Sequence, residues 1–141
     1  MALVIWGNML DLSYQKQNMD QAEATRFAEQ WIESFNRRKI EDILCHFAGN
    51  ASFSSPRAEA FGFNSTLYSR DDLTAYWEAA MRSIGSFHFT LDRAVYDAEE
   101  HTLVIFYFTE IDGVRKRASE IYTFDRYGQV IRGEAMYGAI V

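Results

Sequence analysis

Apolar residues recur at three- and four-residue steps in the first half of the chain and at alternate positions in the second half. Ala24, Phe27, Ala28, Trp31 and Phe35 share one helical face, which predicts a first helix over residues 20–37 with Asp20 capping its start. After a break at Arg38-Lys39, the spacing of Ile40, Ile43, Leu44 and Phe47 predicts a second, shorter helix. Residues 51–55 read as a short strand closed by Pro56, the single proline, and residues 57–69 as a loop. Ser69 followed by Asp72 resembles a capping box with the shorter acid. The apolar stripe of a third helix then runs through Leu73, Tyr76, Trp77, Ala80, Met81 and Ile84.

Helical spacing stops after Ser86, and four strand patterns follow, over residues 87–96, 102–111, 114–124 and 130–137. Asp112-Gly113 between two apolar runs signals a tight hairpin, because both residues tolerate positive φ. Helices followed by a meander of strands form the α+β order. Strands this long must twist and curl. The expected fold is therefore a cone-shaped roll, a curved antiparallel sheet wrapped around about three N-terminal helices and enclosing an internal pocket. Residues 19–141 are assigned to this domain. Residues 1–18 show no steady period and are set apart as an N-terminal arm, either flexible or packed on a neighbouring subunit, with Met19 as an alternative start.

Composition sharpens the picture of the interior. Aromatic residues make up 16% of the 141 positions, and large rings both close a core and line pockets for small molecules. The formal net charge of −6 argues against a nucleic-acid partner, which needs a basic field. Arg115-Lys116-Arg117, the only basic run, reads as a solvated hairpin arm. Cys45 is the only cysteine, so neither a disulfide framework nor a thiolate metal cage is expected; beside Leu44 and Phe47 it reads as a small buried hydrophobe. No apolar run approaches the length of a membrane span, so no membrane partner is expected. The opening Ala2-Leu3-Val4-Ile5-Trp6 lacks a basic leader, and the expected location is cytoplasmic.

Most catalytic signatures are missing: there is no Gly-rich phosphate loop, no nucleophile elbow and no paired histidine-glutamate zinc helix. His46, His88 and His101 are scattered and read as structural or surface groups, so neither a metal nor a cofactor is expected. Glu120 stands apart. On the third long strand, a period of two puts Ala118, Glu120, Tyr122 and Phe124 on one face and Arg117, Ser119, Ile121 and Thr123 on the other. If the first face is concave, the carboxyl is desolvated and its pKa rises. A neutral acid in an apolar pocket can then donate a hydrogen bond or a proton. The alternative is a glutamate neutralised by Arg132 or Arg93, or one turned to solvent.

The order of these pieces resembles a family. Trp31-Ile32-Glu33-Ser34-Phe35-Asn36, then Ile40-Glu41-Asp42-Ile43, Phe47-Ala48 and Phe53-Ser54-Ser55-Pro56 look like the opening of the nuclear transport factor 2-like superfamily, in its SnoaL-like branch. Leu73 to Trp77, the strand around Glu120, and Gly128-Gln129-Val130 with Ala135-Met136-Tyr137-Gly138 continue the likeness. It implies a cystatin-like roll and a homodimer formed through the sheet. It does not imply one activity, since this fold hosts isomerases, cyclases, dehydratases, epoxide hydrolases and binding proteins.

Compared with ketosteroid isomerase, the helix-one tyrosine that donates to the oxyanion falls on Trp31, the aspartate base falls on Ser55, and the protonated aspartate falls on Glu120. Indole has one N–H and no acidic hydroxyl, and serine cannot act as that base unaided, which argues against steroid isomerisation. The resemblance thus implies Glu120 as general acid, or acid and base, with the Trp31 N–H and the Ser55 hydroxyl as donors to a developing oxyanion. Phe35, Phe53, Tyr76, Trp77, Tyr122 and Met136 are expected to line the same pocket around a small apolar molecule. Each aromatic taken alone reads as ordinary core packing ahead of pocket lining. The expected function is a cofactor-independent isomerase, cyclase or dehydratase acting on a small apolar carbonyl compound, or else a non-catalytic binding or dimerisation module.

Overall fold

The computed structural model describes residues 19–141; the arm at residues 1–18 lies outside the described residues. Helix α1 (Gln21–Asn36) starts where expected, with Asp20 Oδ1 accepting the Glu23 N–H at 2.7 Å. It ends in a left-handed residue, Arg38 (φ 56°), with Lys39 N donating to Ser34 O and Arg38 N to Phe35 O. Glycine is the usual occupant of such a position, but here the arginine side chain has a second task. Its guanidinium donates to Met81 O, Ile84 O and Gly85 O, closing the C-terminal end of the third helix.

Helix α2 (Ile40–Leu44) is shorter than its apolar spacing suggests, because Phe47 belongs to strand β1 (Phe47–Ser54) and pairs with Val130. The expected strand over residues 51–55 thus begins four residues earlier. Pairing with a neighbouring strand outweighs the local helical period. Cys45 is exposed, contrary to expectation, and its thiol donates to Asp42 O. The segment read as a loop contains a short strand β2 (Thr66–Leu67), tied to β1 by a hydrogen bond between Ser54 and Thr66 hydroxyls. Helix α3 (Arg70–Ser83) is capped as expected, Ser69 Oγ accepting the Asp72 N–H at 3.0 Å.

Strands β3 (Phe87–Asp97), β4 (Thr102–Ile111), β5 (Val114–Phe124) and β6 (Val130–Ile140) complete a six-stranded sheet in the order β2-β1-β6-β5-β4-β3. Asp112 and Gly113 both have positive φ, as the β4–β5 hairpin requires. The expected all-antiparallel sheet is in fact mixed, since β1 runs parallel to β6. This follows from the layout: β1 and β6 are joined through the rest of the domain, and no hairpin constrains their direction. A bulge between Leu91 and Arg93 bends β3, and register shifts between β5 and β6 add to the curl.

The helices pack on the concave side, and their aromatic residues meet those of the sheet. Trp31, wholly buried, has its ring 4.6 Å from Phe35, 5.1 Å from Tyr107 and 5.8 Å from Phe89. Residues at the two ends of α1 reach the free side of the edge strand β3. Asn36 exchanges two hydrogen bonds with the backbone of Phe89, and Gln21 takes Ala94 O and Tyr96 N. Small residues make room where the large rings crowd. A Cβ on Gly133 would stand 2.7 and 2.8 Å from Tyr122 ring carbons and 2.9 Å from Phe53. Gly133→Ala should therefore lower stability by roughly 1–3 kcal/mol, read as a lower urea midpoint at unchanged slope. An unchanged midpoint would mean that these rings have room to step aside.

Candidate functional site

Strand β5 alternates as its sequence indicates: Ala118, Glu120, Tyr122 and Phe124 are buried on the concave face. Glu120 pairs across the sheet with Ile105 on β4 and Ala135 on β6, so apolar side chains flank it on both sides. Only 3% of it is exposed. Neither arginine considered as a partner reaches it. Arg93 lies over the ring of Phe106, and Arg132 points to Thr123 Oγ1.

Two phenols take the place of an ion pair. Tyr107 donates to Glu120 Oε2 at 3.0 Å and Tyr122 donates to Oε1 at 3.4 Å. Burial pushes the Glu120 carboxyl up from 4.5 to about 8, and the two phenol hydrogen bonds only partly offset that rise. At neutral pH the group is therefore a carboxylic acid with one proton to donate. The Tyr107 and Tyr122 phenols are themselves raised well above their ordinary range, first by burial and then by the Glu120 carboxylate.

Glu120 stands in the wall of a cavity of about 40 Å³, between α1, α3 and the sheet. That volume suits roughly three water molecules, or a ligand of a few non-hydrogen atoms. Trp31, Phe53, Trp77 and Tyr107 form its buried walls. Partly exposed Arg57, Met81, Ile84, Phe87 and Ile111 form its outer rim. Arg38, by fixing the end of α3 and stacking on Phe87, holds that rim in place.

The expected site residues are distributed unevenly. Phe35, Phe53, Tyr76 and Trp77 line the cavity together with Trp31 and Glu120. Tyr122 is fully buried behind Glu120 and meets the cavity through it. The Trp31 N–H, expected to face an oxyanion, instead donates to Tyr122 OH at 2.7 Å. Ser55, 3% exposed, shares a 2.7 Å hydrogen bond with Tyr76 OH and accepts the Arg57 N–H. Ser55 therefore lies behind the cavity wall, and of the two hydroxyls only that of Tyr76 borders the cavity.

Met136 does not belong to the site. It lies on the outer face of the sheet and is 46% exposed. Counting alternate positions from buried Val130 puts Met136 inside, but the register shift opposite Thr123 and Phe124 inserts Ile131 and reverses the parity. Gly133 and Ala135 face inward instead, and Tyr137 lines the cavity. The sequence reading also missed Arg57 and Tyr107. Arg57 sits in what read as an open loop. Tyr107 lies on a strand that is apolar on both faces, so alternation gave no direction. Among the described residues, no group of three or more His, Cys, Asp or Glu side chains is placed to hold a metal ion.

The fold is shared with known structures. A SnoaL-like protein of unknown function from Burkholderia thailandensis is 26% identical with a TM-score of 0.75, over 86% of this chain and 99% of that one. A protein of unknown function with a cystatin-like fold from Methylobium petroleophilum is 21% identical with a TM-score of 0.68, over 86% of this chain and 80% of the other. SalBIII, an epoxide hydrolase/cyclase-like enzyme of pyran ring formation in the polyether salinomycin, shares the fold at 12% identity and a TM-score of 0.67, over 84% and 93% of the two chains. No curated protein matches the sequence. The model of the SnoaL-like domain matches residues 28–133, from the middle of α1 to the glycine that makes room for Tyr122, and the chain belongs to the SnoaL-like domain family.

Proposed function

We propose that the cavity takes a small carbonyl compound and that Glu120, protonated at neutral pH, serves as its proton donor and, once ionised, as a base, without a cofactor. One observation carries this reading: a buried carboxyl, raised to about 8, stands in the wall of an aromatic cavity and, among the described residues, forms no ion pair. Hydrogen-bonding a ligand carbonyl would stabilise its enol or enolate, and a group titrating near pH 8 can pass a proton in either direction near neutrality. Tyr107 and Tyr122 hold the carboxyl in place, and Trp31 acts through Tyr122 as a positioning residue. The Tyr76 hydroxyl, positioned by Ser55, supplies a second donor.

A second reading, a binder without turnover, is favoured by the engagement of the Trp31 N–H inside the protein, which leaves fewer donors for an oxyanion. Exchange of α-protons for deuterium separates the two. Acetone and pyruvate are incubated in D₂O with the protein and followed by NMR. Wild type should speed exchange with a rate that changes around pH 8, and Glu120→Gln should lose roughly a hundredfold or more of that acceleration. Binding without exchange would favour the binder. Equal exchange by wild type and Glu120→Gln would remove Glu120 from the chemistry.

A further inference from the structure

Apart from Glu120, one charged side chain lines the cavity, that of Arg57. Its backbone is fixed by the turn that closes β1: Pro56 restricts the chain, Arg57 N donates to Ser55 Oγ, and Ala58 N donates to Ser55 O. The guanidinium carbon lies 5.4 Å from the centre of the Tyr137 ring. Its positive charge acts on the phenols of both Tyr76 and Tyr137, drawing each down against the rise that burial causes. Arg57, Tyr76 and Tyr137 thus form one polar corner of a cavity whose other walls, apart from Glu120, are aromatic and aliphatic.

Among the described residues Arg57 forms no ion pair; the pairs present are Arg37 with Glu33 and Arg115 with Glu110. That is notable in a chain of net charge −6. A partly buried guanidinium with its fork unfilled matches a planar anion, which it can hold by two parallel N–H···O bonds. The cavity's small size favours a monoanion of few atoms over a phosphate ester carrying a larger group.

We infer that Arg57 makes the cavity selective for small carboxylates, seating the anionic end of a carbonyl-bearing acid on its guanidinium while the carbonyl faces Glu120. The inference rests on the reading of the cavity as a carbonyl-binding site, and it names the substrate class of that site. A protonated Glu120 tolerates such a ligand, whereas an ionised one would repel it. The Tyr76 hydroxyl, bonded to Ser55 behind it, adds a neutral polar group to the same cavity wall.

Pyruvate and its uncharged isostere pyruvamide separate the two claims. Each is titrated into ¹⁵N-labelled protein, and the indole N–H signals of Trp31 and Trp77, both in the cavity wall, report binding. Wild type should bind pyruvate roughly ten- to a hundredfold more tightly than pyruvamide. Arg57→Gln should bring pyruvate down to the affinity of pyruvamide and leave pyruvamide unchanged. Arg57→Lys, which keeps the charge and loses the fork, should fall between them and shows that the position tolerates change. Equal affinities in wild type, or a preference that survives in Arg57→Gln, would overturn the role of Arg57 while leaving the cavity as a carbonyl site. If neither compound moves either indole signal, the inference and the carbonyl-site reading fall together.

Discussion

Glu120→Gln should lie within about 1 kcal/mol of wild type in stability at pH 5 and be more stable than wild type at pH 9. The folded protein holds the Glu120 proton up to about pH 8, while the ordinary carboxyl of an unfolded chain releases it near 4.5. Between those values the folded state binds more protons than the unfolded one, so stability falls as pH rises. The contribution is complete below about pH 4.5 and is lost on passing through 8. At about 1.4 kcal/mol for each pH unit between those two values, the loss is on the order of 5 kcal/mol. Glutamine has the same shape, offers Tyr107 and Tyr122 an acceptor, and never ionises. His46 works against this trend, because burial holds its imidazole below the usual range and stability drops when acid protonates it. It is present in both proteins, so the difference between them isolates Glu120. Urea midpoints measured across pH 5 to 9 provide the check, and parallel curves for the two proteins would show that Glu120 ionises without penalty.

Trp31→Ala should lower the melting temperature by more than about 10 °C. The indole is 0% exposed, and its ring meets those of Phe35, Phe89, Tyr107 and Tyr122. Removing a buried tryptophan costs roughly 3–5 kcal/mol through lost burial and the cavity left behind. That is a large part of the roughly 5–15 kcal/mol that typically stabilises a domain. The change also strips Tyr122 OH of its donor, loosening the weaker of the two bonds to Glu120. Trp31→Phe restores most of the packing without the N–H, so it should recover most of the melting temperature. Calorimetry of both variants decides; a loss below about 1 kcal/mol in Trp31→Ala would mean that the neighbouring rings collapse into the gap.

Much of this architecture is written locally. Asp20 and Ser69 cap helices within three residues, and Asp112-Gly113 turns a hairpin on its own, so each could be read without knowing the rest. Glu120 was legible for a similar reason: β5 alternates cleanly, with Ser119 and Thr123 marking the outer face. Strand β4 did not give its direction away, because Phe106 and Phe108 on the outer side are as apolar as Ile105 and Tyr107 on the inner one. Arginines from neighbouring strands cover those outer rings, Arg93 over Phe106 and both Arg115 and Arg117 over Phe108. Two residues of the basic run thus cover aromatic surface. Arg57 was hidden because its place in the cavity depends on β1, α3 and β6 meeting, which no local pattern encodes.

The hydrogen bonds from Gln21 and Asn36 to strand β3 bear on how the protein behaves when crowded. An open sheet has two edges, and each unpaired edge is a template for aggregation through strand addition. At one end of this sheet β2 is two residues long, too short to seed a partner. At the other, side-chain amides from the two ends of α1 occupy four backbone groups of β3, and the bulge at Leu91–Arg93 breaks the line between them. The same helix that builds the cavity therefore seals the flank of the sheet, and losing either amide would expose backbone groups of β3 to strand addition.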